Sequence, residues 1–428
     1  MKVLLISHPS INTHNNMGKT MLSLIHAFKK EDVCQLYIYP MRPDIDKCSS
    51  FYRITDKDVL KSCYKFRVLG KEIIPNDEDL SNHCLFENDV DRKIYKNANN
   101  RKPIRMLARD LMWKFANWFN KGLKNWIEKE KPECIFLAPG YQTFIYNIAL
   151  KISKKYNIPI ITYICDDYYF VAPPTSLLGK IHQYRLNKII NKLMNRTSLV
   201  ITICDELAVS YNKEFGVETK TVMTGSNYQI KENCQTAENV SSITYMGNIG
   251  LKRNYALAQI GTALDEINEE FDTSYSLNIY SGEQNASVLS VFNGIKSINL
   301  CGFVSGKEFE KVMNSAEVLL HVESFDEDAV DLVKNSISTK IGDCLGSGIC
   351  LFAYGPNNVA SINYLLKNEV AIVCSDKSKL KDKLLFLFND KKQREYSIQN
   401  ALKIAKLNHD ANVVGKTVYN LVDKVLKI

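Results

Sequence analysis

The stretch ISTKIGDCLGSGICLFAYGP, residues 337–356, combines a helix start, a glycine break and an apolar strand. Ser338 and Thr339 are good helix N-cap residues, Lys340 adds positive charge at that end, and Asp343 follows about one turn later. A Gly-x-Gly pair then interrupts the helix before the strand. Free helix amides beside Lys340 suit a diphosphate, and the Asp343 carboxylate suits ribose hydroxyls, so the stretch indicates a nucleotide site.

The alternation of short apolar runs with helical patterns extends from this stretch along the whole chain. Runs rich in Val and Ile between amphipathic segments predict parallel strands covered by helices. The first half contains the predicted strands KVLLISH (2–8), CQLYIYP (34–40), ECIFLAPG (133–140), PIITYICDD (159–167), LVITIC (199–204) and TVMTG (221–225). The second half contains ITYMGN (243–248), LNIYSG (277–282), INLCGF (298–303), VLLHVES (318–324), CLFAYGP (350–356) and AIVCSD (371–376).

The length of 428 residues and one polar segment predict two domains. Single hydrophobic cores stop growing at roughly 250–300 residues, and residues 226–242 are apolar-poor, as a linker is. We expect a domain over 1–228, a linker over 229–242, a second domain over 243–408, and a C-terminal helix over 409–428 that packs back on the first domain. The fold class is α/β, with two Rossmann-like doubly wound domains facing across a cleft. Ligands of such sheets bind beyond the carboxyl ends of the strands.

The composition is that of a globular chain, with 45% apolar and 24% charged residues. The absence of an apolar run near ~20 residues and of a signal-peptide layout predicts a cytoplasmic protein without a membrane span. Twelve cysteines without a Cys-x-x-Cys pair, several in apolar runs that include Cys301, are predicted to be buried thiols in a reducing compartment. The net charge of +8 favours anionic partners without selecting one.

The first loop, HNNMGKT at residues 14–20, ends like a nucleotide phosphate loop. A Walker A loop requires glycine five positions before its Gly-Lys pair, and this chain has Thr13 there. A strand, a polar loop with Gly18 and a helix start can still direct amides at an anion; a plain strand-to-helix turn is the other interpretation. His14 is a candidate base or a surface histidine.

Residues 337–356 resemble the sugar-nucleotide site of GT-B glycosyltransferases, specifically the family-four-like (group 1) enzymes of bacterial capsule and surface polysaccharide synthesis. The pattern of that family reads roughly S-x-K-x-x-E/D-Y-L-x-x-G-x-P. Other segments resemble the family in its order: YICDDYYF (163–170), ICDELAVSY (203–211), the glycine loop YMGNIGLKRN (245–254) and LCGFVSGKEF (300–309).

The resemblance implies a glycosyltransferase that moves a sugar from a nucleotide-diphosphate-sugar donor to the hydroxyl of a glycan or lipid-linked acceptor in surface polysaccharide biosynthesis. It implies an acceptor-binding first domain, a nucleotide-sugar-binding second domain and a retaining reaction. No metal or cofactor is expected, because no convergent His or Cys ligands accompany the acidic motifs of the sequence. Cations after a strand, here Lys252 and Arg253, can neutralise the leaving diphosphate. The implied donor-binding residues are Gly18, Gly247, Lys252, Arg253, Glu323, Ser338, Thr339, Lys340 and Asp343.

The chain departs from the family pattern at two places. The first glutamate of the family's pair is replaced by Asn335, and Glu323 is either its substitute or a solvated loop residue. Where relatives carry His-Asp, this chain has Cys165-Asp166-Asp167. Asp166 and Asp167 are catalytic candidates together with His14, because a carboxylate at a strand end accepts a hydroxyl proton if burial raises its pKa. Only one of two adjacent strand residues faces a cleft; Asp167 is favoured, with capping of the next turn as its alternative role.

The segment 103–128 is predicted to be one helix carrying all three tryptophans of the chain. Its apolar residues, at helical spacing, are expected to pack on the sheet. A second stripe mixes cations with Trp113, which predicts either a solvated face or peripheral contact with anionic lipid at the inner face of the membrane. The apolar residues are Ile104, Leu107, Leu111, Phe115, Trp118, Phe119 and Trp126; the basic stripe is Lys102, Arg105, Arg109, Trp113, Asn117, Lys121 and Lys124.

Two other functions stay open at the level of sequence. A sugar-nucleotide epimerase of the same fold would use the donor site without a separate acceptor. A non-catalytic GT-B scaffold or binding protein is favoured by Asn335 and by the missing histidine. Nucleic-acid binding is not expected, since no sheet motif with interleaved aromatic residues accompanies the positive charge.

Overall fold

The computed structural model describes residues 1–13, 16–44, 46–62, 69–73, 102–226, 228–234 and 236–427. The chain divides into two compact units. The first comprises Met1–Met223 with Val414–Ile428, and the second comprises Thr224–Val413. Each unit has its own sheet and its own hydrophobic core.

In the described part of the first unit the sheet has eight strands in the order β4-β3-β2-β1-β5-β6-β7-β8. All neighbouring strands are parallel except β3 and β4, which are antiparallel. The strands are β1 (Val3–Ser7), β2 (Val33–Tyr37), β3 (Ser50–Arg53), β4 (Lys71–Ile73), β5 (Cys134–Leu137), β6 (Ile160–Ile164), β7 (Thr197–Thr202) and β8 (Thr219–Thr221). The helices are α1 (Asn16–Leu24), α2 (Asp56–Ser62), α3 (Pro103–Phe115), α4 (Lys121–Glu130), α5 (Thr143–Tyr156), α6 (Leu177–Met194) and α7 (Asp205–Phe215).

The central strand β1 shows why the sequence forms this sheet. All its residues are buried, and it pairs on both sides, with Val3 opposite Val33 on β2 and opposite Cys134 on β5. A strand covered on both faces requires the continuous apolar run that this segment has. The strand order reverses between β1 and β5, so the crevice beyond their carboxyl ends is the switch point of the first unit.

In the described part of the second unit the sheet has six parallel strands in the order β11-β10-β9-β12-β13-β14. Its switch point lies between β9 and β12, which pair through Ile243 and Val318. The strands are β9 (Ser242–Met246), β10 (Ser276–Tyr280), β11 (Ile298–Gly302), β12 (Val318–Val322), β13 (Cys350–Tyr354) and β14 (Ile372–Cys374). The helices are α8 (Arg253–Phe271), α9 (Ala286–Leu289), α10 (Gly306–Ser315), α11 (Glu327–Val333), α12 (Lys340–Gly346), α13 (Ala360–Lys367), α14 (Leu380–Asn389) and α15 (Lys391–Asn408).

The last helix, α16 (Ala411–Leu426), belongs for most of its length to the first unit. Val414, Val418 and Val422 are buried in the core of that unit. The ring of Tyr419 lies 5.1 Å from that of Phe28, which follows α1. The helix therefore completes the first core with residues that come after the whole second unit in the chain.

The prediction of one helix over 103–128 is wrong. The chain leaves helical geometry between α3 and α4, where Asn120 is the N-cap of α4 and its side chain accepts hydrogen bonds from the amides of Gly122 and Leu123 at 2.8 and 3.2 Å. An asparagine side chain competes for backbone donors in this way and so favours a helix start over a helix interior.

The predicted faces of this segment are also reversed in α3. Ile104, Leu111 and Phe115, expected to pack on the sheet, are 62%, 49% and 76% exposed, whereas Arg109 and Trp113 are buried. The cause is a partner from α2: one carboxylate, that of Asp56, accepts hydrogen bonds from both buried side chains.

Further expectations differ from the structure. The strand predicted over 221–225 is β8 at Thr219–Thr221, so it ends where it was expected to begin. Strands β3 and β4 were not predicted, because they are short and contain charged residues. Cys301, expected to be buried, is exposed on the edge strand β11. In the part of the chain that the structure describes, no helix is both long and apolar enough to cross a membrane.

Candidate functional site

The switch point of the second unit brings together four of the residues that the sequence singled out. Gly247 follows β9, Arg253 begins α8, Glu323 follows β12, and Lys340 begins α12. Their elements end or start at the carboxyl edge of the parallel sheet, where ligands of such folds bind.

The loop between β9 and α8 has an unusual backbone. Leu251 and Lys252 have positive φ angles of 55° and 58°, a left-handed conformation that costs energy for residues with a Cβ atom. The loop is fastened to the sheet: the Tyr245 hydroxyl donates to the carbonyl of Asn248 at 2.7 Å, and the Gly247 amide donates to the carbonyl of Tyr280 at 3.0 Å. Strain held by such contacts is typical of segments that present backbone to a ligand.

Gly247 makes room for the lysine of the site. A Cβ atom at this position would lie 2.8 Å from the hydroxyl oxygen of Tyr245 and 3.3 Å from the Nζ atom of Lys340. The same Nζ atom donates a hydrogen bond to the carbonyl of Met246 at 2.9 Å. The ammonium group of Lys340, at the start of α12, is therefore held against the end of β9, although Lys340 and Met246 are 94 positions apart in sequence.

Arg253 and Glu323 form a buried ion pair. The Nε and Nη2 atoms of Arg253 lie 3.0 and 2.8 Å from Oε2 of Glu323, which is 4% exposed. Burial raises the pKa of Glu323, and the guanidinium opposes that rise. Glu323 is thus neither a solvated loop residue nor, in this conformation, a free sugar-binding carboxylate, because it orients Arg253.

His321 is a member of the site that the sequence reasoning missed. Its Nε2 atom lies 3.1 Å from the Ser361 hydroxyl and 3.6 Å from Oε1 of Glu323. Burial first, and then the charges of Arg253 and Lys340, lower the pKa of His321 to about 3, so the ring is neutral at physiological pH. The available signal was the alternation of β12, which places residues 321 and 323 on one side of the strand.

Lys252 pairs with a different acid. Its Nζ atom lies 2.6 Å from Oδ2 of Asp326, and both side chains are partly exposed. The hydrogen bond from Lys252 lowers the pKa of Asp326. The pair lies on the wall of a cavity of about 650 Å³ that also involves Gln259 and Lys377. Lys252 therefore borders the switch point without joining the Arg253 cluster.

The start of α12 differs in part from the expectation. Thr339 occupies the N-cap position, but its side chain makes no capping hydrogen bond, and the carbonyl of Ser338 accepts the amide of Ile341 at 3.0 Å. Asp343 is 4% exposed and accepts a hydrogen bond from the hydroxyl of Ser226 at 3.0 Å. The side chain expected to bind ribose is thus engaged by a neighbouring hydroxyl.

The remaining candidates belong to the first unit. Asp167 lies after β6, and its Oδ1 atom accepts the amides of Tyr169 and Phe170 at 3.0 and 2.9 Å, which is the capping arrangement considered as its alternative role. Asp166 beside it is partly buried. Gly18 is buried within the first turn of α1 rather than in a loop, and His14 lies outside the described residues.

Comparison with known proteins finds no matching family model and no matching curated protein. Solved structures do match over the full length. Sucrose-phosphate synthase from Thermosynechococcus elongatus has a TM-score of 0.62 at 10% identity, covering 100% of this chain and 99% of its own. HepE from Anabaena, in complex with UDP and glucose, has a TM-score of 0.62 at 9% identity, covering 99% and 100%. The trehalose-6-phosphate protein from E. coli bound with UDP-2-fluoro glucose has a TM-score of 0.59 at 9% identity, covering 100% and 99%.

These similarities show the fold of the chain, which is the α/β GT-B fold with two parallel-sheet domains. At 9–10% identity they assign no function to individual residues, so the chemistry of the site is argued from its geometry.

Proposed function

We propose that this protein is a glycosyltransferase whose second unit binds a nucleotide-diphosphate-sugar donor. The observation that carries the proposal is the convergence of Arg253 and Lys340 beside Gly247 at the switch point of that unit. Diphosphates need concentrated positive charge and close backbone approach, and this edge of the sheet offers both.

The main electrostatic demand of the reaction is the charge on the departing nucleotide diphosphate. Glu323 holds the Arg253 guanidinium through Nε and Nη2, so its orientation is set before a donor binds. The Nζ atom of Lys340 is also held in place, because it donates a hydrogen bond to the carbonyl of Met246. Two fixed cations stabilise the diphosphate without a metal ion, and Lys252 supplies a third, more exposed charge.

Asp343 is proposed to bind the ribose of the donor. Its carboxylate is buried at the first turn of α12, three positions from Lys340, and already accepts one hydroxyl, that of Ser226. A ribose hydroxyl is the same kind of donor, so it would join or replace Ser226 at little cost. Ser338 and Thr339 precede this turn and are proposed to line the same subsite.

In the transfer, the bond between the sugar C1 and the diphosphate breaks, and C1 forms a bond to the acceptor oxygen. The acceptor proton leaves with a base or with the departing phosphate. Asp166, Asp167 and His14 are the candidates for that base; the two amides accepted by Asp167 favour a positioning role for it. We propose a glycan or lipid-linked acceptor in surface polysaccharide synthesis, as the family resemblance implies.

UDP is the first nucleotide to test, because solved structures of the same fold contain UDP or UDP-glucose. Thermal unfolding of the protein with UDP, GDP, CDP and ADP should show stabilisation by one nucleotide, at about 2.7 kcal/mol when its concentration is 100 times its Kd. Arg253→Gln and Lys340→Gln should each reduce that shift. Equal, negligible shifts for all nucleotides would refute the donor site and favour a scaffold.

The epimerase alternative has a different signature. Incubation of the protein with UDP-sugars, followed by chromatography, would show interconversion of free sugar nucleotides without an acceptor. A glycosyltransferase instead releases UDP in proportion to the acceptor added. Interconversion of UDP-sugars that needs no acceptor would therefore favour the epimerase over the glycosyltransferase.

Peripheral membrane contact is proposed through a surface that differs from the predicted basic stripe and shares Arg105 with it. The amphipathic surface comprises the exposed side chains Ile104, Arg105, Leu111 and Phe115 of α3 and Leu177, Lys180, Ile181 and Tyr184 of α6. The two helices pack against each other. Apolar side chains beside lysine and arginine suit the headgroup region of an anionic bilayer, where a lipid-linked acceptor would be found.

A further inference from the structure

The first unit has a polar cluster at its own switch point that the donor site does not use. His8 follows β1, and Gly140 follows β5, which is the pair of strands where the order reverses. Arg109 reaches the same place from α3: its guanidinium carbon lies 4.9 Å from the ring centre of Phe144, and the His8 ring lies 5.6 Å from that ring. The imidazole of His8 and the guanidinium of Arg109 therefore both lie beside the ring of Phe144.

The guanidinium of Arg109 is oriented by a carboxylate, but only some of its N–H groups have hydrogen-bond acceptors among the described residues. Its Nε atom donates to Asp56 at 3.0 Å, and the Nε1 atom of Trp113 donates to the same carboxylate oxygen at 2.7 Å. The Nη1 and Nη2 atoms are buried and have no hydrogen-bond partner among the described residues. Asp56 thus fixes the guanidinium through one nitrogen and leaves the two terminal nitrogens to another acceptor.

Like Arg109, His8 has buried polar atoms that make no hydrogen bond within the described residues. It is 8% exposed, and neither ring nitrogen has a hydrogen-bond partner within the described part of the chain. Burial, and next the charge of Arg109, lower the pKa of His8 to about 3. The neutral ring offers one N–H donor and one acceptor nitrogen. A Cβ atom at Gly140 would lie 3.1 Å from the ring, so the glycine provides the space for it.

A neighbouring acid, Asp110, follows Arg109 in α3. Its Oδ1 atom accepts a hydrogen bond from the amide of Thr143 at 2.9 Å, and its Oδ2 atom is buried without a hydrogen-bond partner among the described residues. Burial raises the pKa of Asp110, which favours its neutral form. Buried donors without acceptors are rare in folded proteins and indicate a site completed by a ligand or by ordered water.

We propose that His8 and Arg109 form a site for the anionic group of a substrate, a phosphate or carboxylate whose oxygens accept hydrogen bonds from Nη1, Nη2 and the imidazole. A guanidinium presents its terminal nitrogens as a fork that matches two oxygens of such a group. Taken with the proposed glycosyltransferase function, on which this part rests, the site narrows the proposed glycan or lipid-linked acceptor to one that carries a phosphate or an acidic sugar.

The test uses the full-length protein and a signal from the site itself. Imidazole resonances of histidine-labelled protein are followed by NMR during titration with glucose 6-phosphate, glucuronate and glucose. The His8 resonance is identified by its loss in His8→Phe. We expect saturable shifts with one or both anions and none with uncharged glucose; the stronger anion distinguishes phosphate from carboxylate.

Matched variants separate the site from general charge. Arg109→Gln should weaken anion binding about tenfold or more, whereas Lys114→Gln, an exposed cation lost from the same helix, should bind as the unmodified protein does. Arg109→Lys keeps the charge and removes the fork, so it supports the proposal through intermediate binding if Arg109→Gln does not fold. Equal affinity in all variants, an equal shift with glucose, or no saturable His8 shift would overturn the proposal.

The outcome is independent of the donor site. UDP binding is measured separately through Arg253→Gln, which lies in the other unit. If glucose 6-phosphate shifts His8 and no nucleotide binds, the anion site stands and the glycosyltransferase proposal falls. If UDP binds and no anion shifts His8, the reverse holds.

Discussion

At the scale of single residues, one buried ion pair joins the loop after β9 to the end of β12. The substitution Arg253→Gln leaves the Glu323 carboxylate buried without its cationic partner. The loss of one partner from a buried ion pair typically lowers the free energy of unfolding by about 3 kcal/mol. We expect Arg253→Gln to lower the free energy of unfolding by about that amount and to weaken UDP binding about tenfold or more. Urea unfolding and nucleotide titration measure the two effects.

The loss of stability in Arg253→Gln should depend on pH. Burial already raises the pKa of Glu323 above its ordinary value of 4.5, and removing the cation raises it further. A carboxyl with a raised folded pKa favours the folded state below the unfolded pKa and loses that advantage as pH rises through the folded pKa. The deficit of the variant should therefore shrink as pH falls toward 4.5, and adding Glu323→Gln should recover most of it at pH 7. Lys252→Gln, which breaks an exposed pair, is the control; a comparable loss there would contradict the argument.

His409 gives a second prediction about pH, in which stability is lost as the pH falls. Its Nδ1 atom lies 2.9 Å from the carbonyl of Thr224, and its Nε2 atom lies 3.0 Å from the Tyr364 hydroxyl. Burial lowers its pKa from 6.5 to about 4. Stability from this neutral ring is complete above pH 6.5 and is lost as pH falls through 4, by about 3 kcal/mol at most.

The measurement for His409 is urea unfolding at several pH values. His409→Gln removes the titrating ring and should flatten the loss of stability between pH 6.5 and 4. Tyr364→Phe keeps the ring and should retain an acid-dependent loss. The same slope in His409→Gln as in the unmodified protein would assign the acid sensitivity to other groups.

Sequence patterns located some residues of the site better than others. Gly247, Arg253 and Lys340 follow or precede apolar runs, and such positions are visible as local punctuation. The structure brings them together, and their role in binding stays a prediction. His321 and His8 were missed because each lies within or directly after an apolar strand, where a histidine reads as core. Their significance depends on partners 40 or more positions away, which no local pattern contains.

At the scale of elements, α3 shows why periodicity alone can assign the wrong face. Its apolar stripe was expected to pack inward, because hydrophobic side chains usually do. The structure instead buries Arg109 and Trp113, since Asp56 satisfies both. A carboxylate from another element outweighs the apolar stripe, and a contact between elements cannot be read from the sequence of one helix. By contrast, the longer parallel strands could be predicted, because burial on both faces requires continuous apolar runs.

The exposed side of α3 leads to a prediction about membranes. Leu111→Ser with Phe115→Ser should weaken binding to vesicles containing anionic lipid about tenfold, because each side chain loses part of its transfer free energy. Flotation or co-sedimentation measures the bound fraction. The matched control is Leu60→Ser with Val209→Ser, two exposed apolar residues of the same unit outside the amphipathic surface. Equal binding by both double variants would remove membrane contact from the proposal.

At the scale of the whole molecule, the chain enters the second unit after the first sheet is complete and returns to the first unit with α16. Val418 and Val422 of that helix are fully buried in the first core. The stability of the first unit thus depends on residues made last, whereas the proposed donor site consists only of residues within the second unit. The two properties should be separable by mutation.

Val418→Ala should lower the stability of the first unit by about 2 kcal/mol, from lost methyl burial and the cavity left behind. All three tryptophans, Trp113, Trp118 and Trp126, lie in the first unit, so their fluorescence follows that unit during urea unfolding. UDP affinity should be unchanged, because the Arg253 cluster has no residue from α16. Val413→Ala, at a 40% exposed position of the same helix, should leave both properties intact. A parallel loss of UDP affinity in Val418→Ala would mean that the two units unfold and bind as one cooperative body, and donor binding would then have to be explained at the level of the whole chain.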